Sequence, residues 1–401
     1  MRFVRPVFGR PAVRRPVVLR VAMATLIAGA ALGLAACDEG SPVDDLGGMA
    51  GSARASHPLS PRLVALMQEK GVSPSSAVLI RTYKKDAEFE IWKMKPDGRY
   101  VLFKTYPMCR WSGQLGPKMA EGDRQVPEGF YKITPSQMNP VSQYYLSFNV
   151  GYPNAYDRAH GASGSSIFVH GACSSAGCFS MTDEQIDQIY AIAREAFTGG
   201  QQAIQMQSYP FRMTAENMAK YRSDPNIEFW KQLKEGADNF EVAKQDVTVG
   251  VCARHYVFNV TTPASHMDPN GPCPSLQHDG IQNEVAAREA DDDAKVAKLV
   301  ASGTPAMRTI YADGGQNAVF KGTHADDVSR PEALTAGATD WLVEPASGKA
   351  TSPVVKVAAA RRAAKVAKAT AKAKPVEAAA ADKADRTSSI KKPESKSQAA
   401  L

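Results

Sequence analysis

The sequence predicts an α+β fold, mainly β, in which helices flank a core of strands and a disordered tail follows. Between residues 77 and 106, short runs alternate polar and apolar side chains or are continuously apolar, as strands do. Between residues 182 and 234, apolar residues recur at helical spacing behind capping residues. From about residue 355 the chain is an Ala/Lys tract with almost no bulky apolar side chains. Such a tract buries too little surface to offset its chain entropy.

The N-terminus has the composition of an export signal. Residues 1–36 contain six arginines and no acidic residue, and they include the apolar run 21–32. Residues 34–37, Leu-Ala-Ala-Cys, resemble a bacterial lipobox, in which the cysteine is lipidated and becomes the first mature residue. We therefore expect Cys37 to be a membrane anchor. The alternative is an ordinary cleaved signal with an incidental cysteine. Residues 37–58 are predicted to be a flexible tether.

A folded domain is predicted over residues 59–265. Ser60 and Pro61 start a short helix that Gly71 ends. The predicted strands are 77–82, 88–94, 100–106, 166–169 and one or two within 246–260, and the predicted helices are 182–197, 214–221 and 227–234. Residues 266–345 are predicted to form an extension packed on or near this domain, with a helix at 284–301 and a strand at 308–311. Residues 346–401 are the predicted disordered, basic tail.

The positive net charge of the chain comes from its two ends. The whole chain carries +7, whereas the tail from residue 355 carries +8 and residues 1–36 carry +6, which leaves −7 on the part between. The alkaline isoelectric point therefore does not indicate a nucleic-acid groove in the folded domain. The tail is predicted to be a solvated spacer, and the alternative is an arm that binds anionic polymers or membrane surfaces.

The most informative stretch is residues 167–178, which places His170 and Cys178 at the two ends of one short loop. An apolar run ends at His170, and a capping box at 182–185 opens a helix shortly after Cys178. Helix N-termini carry partial positive charge, and together with a nearby imidazole this favours thiolate over thiol. We therefore expect an ionised, nucleophilic sulfur with a histidine base.

Several ordered motifs resemble the L,D-transpeptidase catalytic domain family of the YkuD type, and within it the YafK-like branch of bacterial cell-wall enzymes. The resemblance covers about residues 77–260 and extends more weakly to about 323. The matching segments are 116–118 (Gly-Pro-Lys), 121–131, 157–161 (Asp-Arg-Ala-His-Gly), 170–178, 209–214 and 229–236. It implies a YkuD-like mixed β-sandwich or sheet with flanking helices.

The resemblance also implies acyl transfer through a thioester. Cys178 would attack a carbonyl in a peptidoglycan stem peptide while His170 moves the proton. The carbonyl of Gly171 would orient the imidazole, and backbone N–H groups near Gly177 and Cys178 would bind the oxyanion. Two positions depart from the broader family, since Ala176 replaces a histidine and Ser180 replaces an arginine. These departures and the short loop favour the YafK-like branch.

Four further residues are candidates for substrate binding. His160 lies on a Gly-rich loop, and the alternative is a loop histidine bonded to backbone. Arg212 would hold a stem-peptide carboxylate, because its fork matches that geometry, and the alternative is an ordinary surface ion pair. Lys118 lies in a Gly/Pro-rich segment in which turn chemistry is the alternative. Ser175 belongs to the loop between the two catalytic residues.

The remaining cysteines suit an oxidising compartment. Cys109, Cys173, Cys252 and Cys273 are an even number and allow three complete pairings, among which Cys252 with Cys273 is the first to test. Cys173 is alternatively a free core thiol. A zinc site that joins His170, Cys173 and Cys178 to Cys252 or His255 is a rival interpretation, but this spacing fits no common zinc module. We expect neither a metal nor a cofactor.

The sequence thus predicts a periplasmic enzyme anchored by lipid to the inner or outer membrane and acting on peptidoglycan stem peptides in cell-wall biogenesis and cell shape. An amine acceptor would make it a transferase that crosslinks stems or attaches a protein to the wall. Water as acceptor would make it an amidase that trims stems or releases attached protein. A third hypothesis is a non-catalytic lipoprotein that holds the wall. No nucleic-acid partner is expected.

Overall fold

A computed structural model describes residues 51–264, 266–278, 280–322, 328–344, 347 and 349–354. The predicted signal peptide, Cys37, the first part of the tether and the Ala/Lys tract of the tail lie outside these residues. The described part is a mixture of sheets and helices with strands in its core. This confirms the predicted α+β, mainly β class. No helix within the described ranges has the length and apolarity needed to cross a membrane.

The strands follow the order of the chain. They are β1 (Val78–Tyr83), β2 (Glu88–Met94), β3 (Tyr100–Pro107), β4 (Gly129–Ile133), β5 (Met138–Ser142), β6 (Tyr145–Asn149), β7 (Phe168–His170), β8 (Phe179–Ser180), β9 (Ile204–Tyr209), β10 (Val249–Cys252), β11 (His255–Phe258), β12 (Val260–Thr261), β13 (Gln277–His278), β14 (Met307–Tyr311), β15 (Ala338–Val343) and β16 (Ala350–Pro353).

The helices begin at capping residues that the sequence displays. They are α1 (Pro61–Glu69), α2 (Ala155–Ala159), α3 (Asp183–Thr198), α4 (Ala215–Tyr221), α5 (Ile227–Ala243), α6 (Gln282–Ala301) and α7 (Pro331–Ala336). Residues 51–55 are also helical. At the start of α3, Thr182 and Gln185 form the reciprocal capping box that the sequence predicts. This box fixes where the chain turns from the catalytic segment into α3.

A five-stranded sheet forms one layer of the domain. Its strands run in the order β3-β2-β1-β9-β4, and all neighbours are antiparallel except β1 and β9, which are parallel. Every residue of β1 and β9 is buried, as is typical of strands covered on both faces. Gly98, with φ of +78°, makes the turn between β2 and β3 in a backbone conformation that strains other residues.

A four-stranded sheet in the order β5-β6-β7-β8 carries the catalytic segment. The helix α3 packs on β6, β1 and β7, so it lies between this sheet and the five-stranded sheet. Its buried residues include Ile186, Ile189 and Tyr190, which recur at the spacing of one helical face. Burial of this face ties the catalytic segment to the core of the domain.

The C-terminal part of the described chain packs against the domain. The strands β14, β15 and β16 form a separate antiparallel sheet, and α6 packs on α4 and α5. Backbone groups of Trp111 and Gly315 exchange two hydrogen bonds, of 2.9 and 3.0 Å. The rings of Trp111 and Tyr311 meet edge to face at 4.8 Å between centroids. The extension is thus joined to the segment that follows β3.

Both disulfides in the described residues are now assigned. Cys252 pairs with Cys273, which confirms the pair that the sequence placed first, and Cys109 pairs with Cys173. The alternative that Cys173 is a free thiol is therefore wrong.

Candidate active site

His170 and Cys178 leave neighbouring strands on the same face. The strands β7 and β8 are parallel, with Val169 opposite Phe179 and His170 opposite Ser180. One step back in this register, Phe168 lies opposite Cys178, and its N–H donates to the cysteine Sγ at 3.4 Å. Residues two apart along a strand share a face. His170 and Cys178 are therefore diagonal neighbours on one face of the sheet.

The His170 ring is held in one tautomer. Its Nδ1 lies 2.7 Å from the carbonyl oxygen of Gly171, and because a carbonyl only accepts, Nδ1 must carry the proton. This leaves Nε2 as the unprotonated nitrogen. The side chain is buried, and burial lowers its pKa below the ordinary value of 6.5 against the opposing effect of the Gly171 bond. The ring is therefore a neutral imidazole at neutral pH, ready to accept a proton.

Cys178 is the free cysteine of the described residues and is half-buried. Burial raises its pKa above the ordinary value of 9.0, although the Phe168 N–H and the charge of Lys118 act in the other direction. The expectation of an ionised thiolate is therefore wrong for the resting protein. The physical reason is distance along the chain, since Cys178 precedes the two-residue strand β8 and α3 begins only at Asp183. The partial charge of a helix N-terminus falls off within one turn.

Ser175 fastens the loop between the catalytic residues, which we call the catalytic loop (residues 171–178). Its buried Oγ accepts hydrogen bonds from the N–H groups of Gly177 (3.3 Å) and Cys178 (3.1 Å) and donates to the Cys178 carbonyl at 2.7 Å. This corrects two predictions. The two N–H groups that were expected to bind an oxyanion are occupied by the serine hydroxyl, and Ser175 is not exposed to a substrate.

The middle of the catalytic loop is cross-linked to the segment after β3. Cys173 forms its disulfide with Cys109, which is completely buried. Ala172 and Cys173 both have positive φ, of +62° and +48°, which side chains other than glycine rarely adopt. The N–H of Ala172 also donates to Asp183 Oδ1 at 2.8 Å. Covalent and polar contacts together hold this unfavourable backbone in place.

Lys118 lies close enough to Cys178 to act on the sulfur electrostatically. Its Nζ donates to the Ala120 carbonyl at 2.8 Å and to Asp123 Oδ1 at 2.6 Å. Lys118 itself is buried, and these two bonds direct its ammonium group. The structure thus brings Lys118 to the site as a fixed positive charge near the sulfur.

His160 and Arg212 are both engaged elsewhere. The His160 ring stacks on Tyr156 at 4.1 Å, and its Nδ1 donates to the Tyr156 carbonyl at 2.9 Å. Arg212 donates to Glu88 and Glu90 on β2, at 2.5 and 2.8 Å. The two carboxylates that meet its guanidinium come from the protein itself. The predicted role of Arg212 in holding a substrate carboxylate is therefore corrected to an internal ion pair.

Tyr144 is a site residue that sequence reasoning missed. It lies in the turn between β5 and β6, and its ring centroid is 4.6 Å from that of His170 at a tilt of 31°. Its carbonyl accepts the N–H of Gly171 at 3.0 Å. The side chain is 48% exposed, so one face covers the imidazole and the other meets solvent. No motif marks this residue, because only the pairing of β6 with β7 brings it to the histidine.

The rival zinc site is not supported. Within the part of the chain that the structure describes, no group of three or more His, Cys, Asp or Glu side chains is arranged to hold a metal ion. Cys173 and Cys252 are in disulfides and are not available as thiolate ligands.

Comparison with known proteins decides the family. Residues 85–203 match the family model described as the L,D-transpeptidase catalytic domain, YkuD. The Escherichia coli (strain K12) protein named "Putative L,D-transpeptidase YafK" is 39% identical over 225 residues, which cover 56% of this chain and 88% of that protein. The chain belongs to the L,D-transpeptidase catalytic domain family. The protein of the same name from E. coli O157:H7 matches to the same extent. The predicted YafK-like branch is thereby confirmed.

Solved structures with a detectable likeness are more distant. The helical cell shape determining protein Pgp2 from Campylobacter jejuni has 13% identity and a TM-score of 0.28, and the match covers 62% of this chain and 80% of that one. Bd1075 from Bdellovibrio bacteriovorus has 16% identity and a TM-score of 0.25, with 43% and 74% covered.

Proposed function

We propose that this protein is a cell-wall L,D-transpeptidase that forms a thioester on Cys178 with a peptidoglycan stem peptide and transfers the acyl group to an amine. Family membership supports a transpeptidase-like role in the cell wall. The observation that carries the finer proposal is the pairing of a free thiol with a neutral imidazole on one sheet face, with the imidazole's Nδ1 bonded to Gly171.

The first half of the reaction starts from a neutral pair. Because the pKa of Cys178 is raised and that of His170 is lowered, the proton moves from Sγ to Nε2 as the sulfur attacks the carbonyl carbon. The carbonyl π electrons shift to oxygen and return as the C–N bond breaks. The leaving amine takes the proton from the His170 imidazolium. The products are a thioester and a free amine.

The second half of the reaction mirrors the first. An acceptor amine attacks the thioester carbonyl and gives a proton to His170, and the C–S bond breaks to release Cys178, which recovers a proton from the imidazolium. The Phe168 N–H and the charge of Lys118 both favour the negative charge that develops on sulfur when it leaves. Tyr144 covers the His170 ring and stabilises its cationic form through its π face.

A labelled stem peptide tests the proposal and separates its two outcomes. Purified protein is incubated with the donor, an amine acceptor and water enriched in ¹⁸O. A new amide between donor and acceptor supports the transferase. Shortened stems that carry ¹⁸O, without any amide product, would overturn it in favour of the amidase. Cys178→Ala separates both from the non-catalytic hypothesis, since a protein that only holds the wall keeps its cellular phenotype after this change.

We also propose that the protein is anchored by lipid at Cys37 in the periplasm. The arginine-rich apolar leader and the Leu-Ala-Ala-Cys ending support this. The disulfides Cys109–Cys173 and Cys252–Cys273 fit an oxidising compartment. Labelling of cells with a palmitate analogue tests the anchor. The label is expected on the wild-type protein and not on Cys37→Ser, and equal labelling of both would overturn the assignment.

A further inference from the structure

The C-terminal extension touches the catalytic loop through Ser329. The Ser329 Oγ donates to the Ser175 carbonyl at 2.7 Å and accepts the Ser175 N–H at 3.0 Å. One hydroxyl thus satisfies both backbone groups of a residue that lies in no helix or strand. Ser175 is also the residue whose side chain fixes the backbone of Cys178. A contact from outside the family domain therefore sets the position of the loop.

A carboxylate from the extension reaches the same carbonyl through an arginine. Asp313 accepts two hydrogen bonds from Arg124, of 2.7 and 3.1 Å, and Arg124 donates to the Ser175 carbonyl at 3.0 Å. Asp313 also accepts from the Gly113 N–H at 2.9 Å and from Arg330 at 3.3 Å, and it is only 4% exposed. A buried carboxylate with this many donors is a rigid anchor for Arg124.

Arg110 closes the network on the other side of the nucleophile. Its backbone pairs with that of Ser180, with Ser180 N–H to Arg110 carbonyl at 2.9 Å, two residues after Cys178. Its completely buried guanidinium donates to Asp313 at 3.3 Å and to the Ser329 carbonyl at 3.1 Å. The extension thus holds the chain both before and after Cys178.

We propose that Ser329 and Asp313 are positioning residues for the reaction, and that residues 306–343 complete an active site that residues 85–203 alone leave unsupported. Neither side chain touches the sulfur or the imidazole. They act by holding Ser175 and Arg124, so that Cys178 stays on the face it shares with His170. This inference deepens the proposed function and rests on it for its first readout.

The test uses the full chain with Ser329→Ala and the conservative variant Ser329→Thr. At saturating stem-peptide donor, the acylation rate of Cys178 is expected to fall about tenfold or more in Ser329→Ala, because small misplacements of a nucleophile are costly, while the donor concentration at half-saturation changes little. Ser329→Thr keeps the hydroxyl and should restore the rate. The matched control is Ser302→Ala, which removes an exposed hydroxyl bonded to Leu299 near the extension.

A second readout does not depend on the substrate. The pH profile for alkylation of Cys178 by iodoacetamide is followed by mass spectrometry of its peptide. We expect the midpoint to move in Ser329→Ala, because the contacts of the sulfur with the Phe168 N–H and Lys118 change. It should stay at the wild-type pH in Ser329→Thr and Ser302→Ala.

Two results overturn the inference. One is a Ser329→Ala protein that is acylated and alkylated like wild type, and the other is a variant that loses only thermal stability. If the donor fails to acylate the wild-type protein, the proposed function fails, and the alkylation profile still decides the positioning role.

Discussion

Removal of the disulfide between Cys109 and Cys173 should impair acylation in a way that removal of the other disulfide does not. The cysteines of this pair are 64 residues apart, so the cross-link restricts a long loop of the unfolded chain. On the loop-entropy model, its loss costs about 4 kcal/mol of unfolding free energy. The pair Cys252 and Cys273, only 21 residues apart, is a matched control that costs about 3 kcal/mol.

The two double Cys→Ser variants are compared by urea unfolding and by acylation of Cys178 at saturating donor, below the unfolding transition. Their losses of stability should be comparable. Only the variant at 109 and 173 should lose acylation, because Cys173 lies inside the catalytic loop with positive φ and the cross-link holds it there. Equal acylation rates in the two variants, once corrected for the folded fraction, would refute this reasoning.

Three further predictions follow from the pKa shifts and from Tyr144. Alkylation of Cys178 should rise with pH through a midpoint above 9.0, whereas acylation by substrate should have its acid midpoint below 6.5, because it needs only a neutral His170. Tyr144→Ala should slow acylation several-fold and Tyr144→Phe should not, since the ring face covers the imidazole. Burial raises the pKa of Asp157 from 3.8 to about 6, so its charged form costs about 3 kcal/mol above pH 6 and nothing below pH 3.8. Asp157→Asn should therefore stabilise the protein at pH 7 and not at pH 3.5, as measured by urea unfolding.

Each of these predictions has a contrary result. Alkylation that is already fast and independent of pH near neutrality would show a resting thiolate, since a thiol with a pKa above 9.0 is less than about 1% ionised at pH 7. Equal rates for Tyr144→Ala and Tyr144→Phe would remove the role of the ring. A gain in stability for Asp157→Asn that is the same at pH 3.5 and pH 7 would contradict the linkage argument.

Local patterns made part of the fold predictable. The strands β1 to β3 and the capped helix α3 were expected within one or two residues of where they lie, because alternation and capping are visible along the sequence. The central strand β9 was missed. Its Gln205 and Gln207 look like solvent-exposed residues, yet both are buried and bonded, Gln205 to the Val247 carbonyl and Gln207 to Gln205 and Tyr209. Polar residues satisfied by tertiary contacts conceal a buried strand.

The same limit applies to the site. His170 and Cys178 were identified because they lie in one short motif. The roles expected of Ser175 and Arg212 were wrong because their partners, the N–H groups of Gly177 and Cys178 and the carboxylates of β2, are set by the fold. Tyr144 and Ser329 carry no motif and reach the site only through sheet pairing and docking of the extension.

Intact-mass spectrometry after exposure to a stem-peptide donor tests the central claim most directly. The account predicts an adduct with the mass of the acyl fragment, mapped to Cys178, absent from Cys178→Ala and formed far more slowly in His170→Ala. An unmodified mass in a protein that nevertheless turns over the donor, or an adduct on another residue, would contradict it.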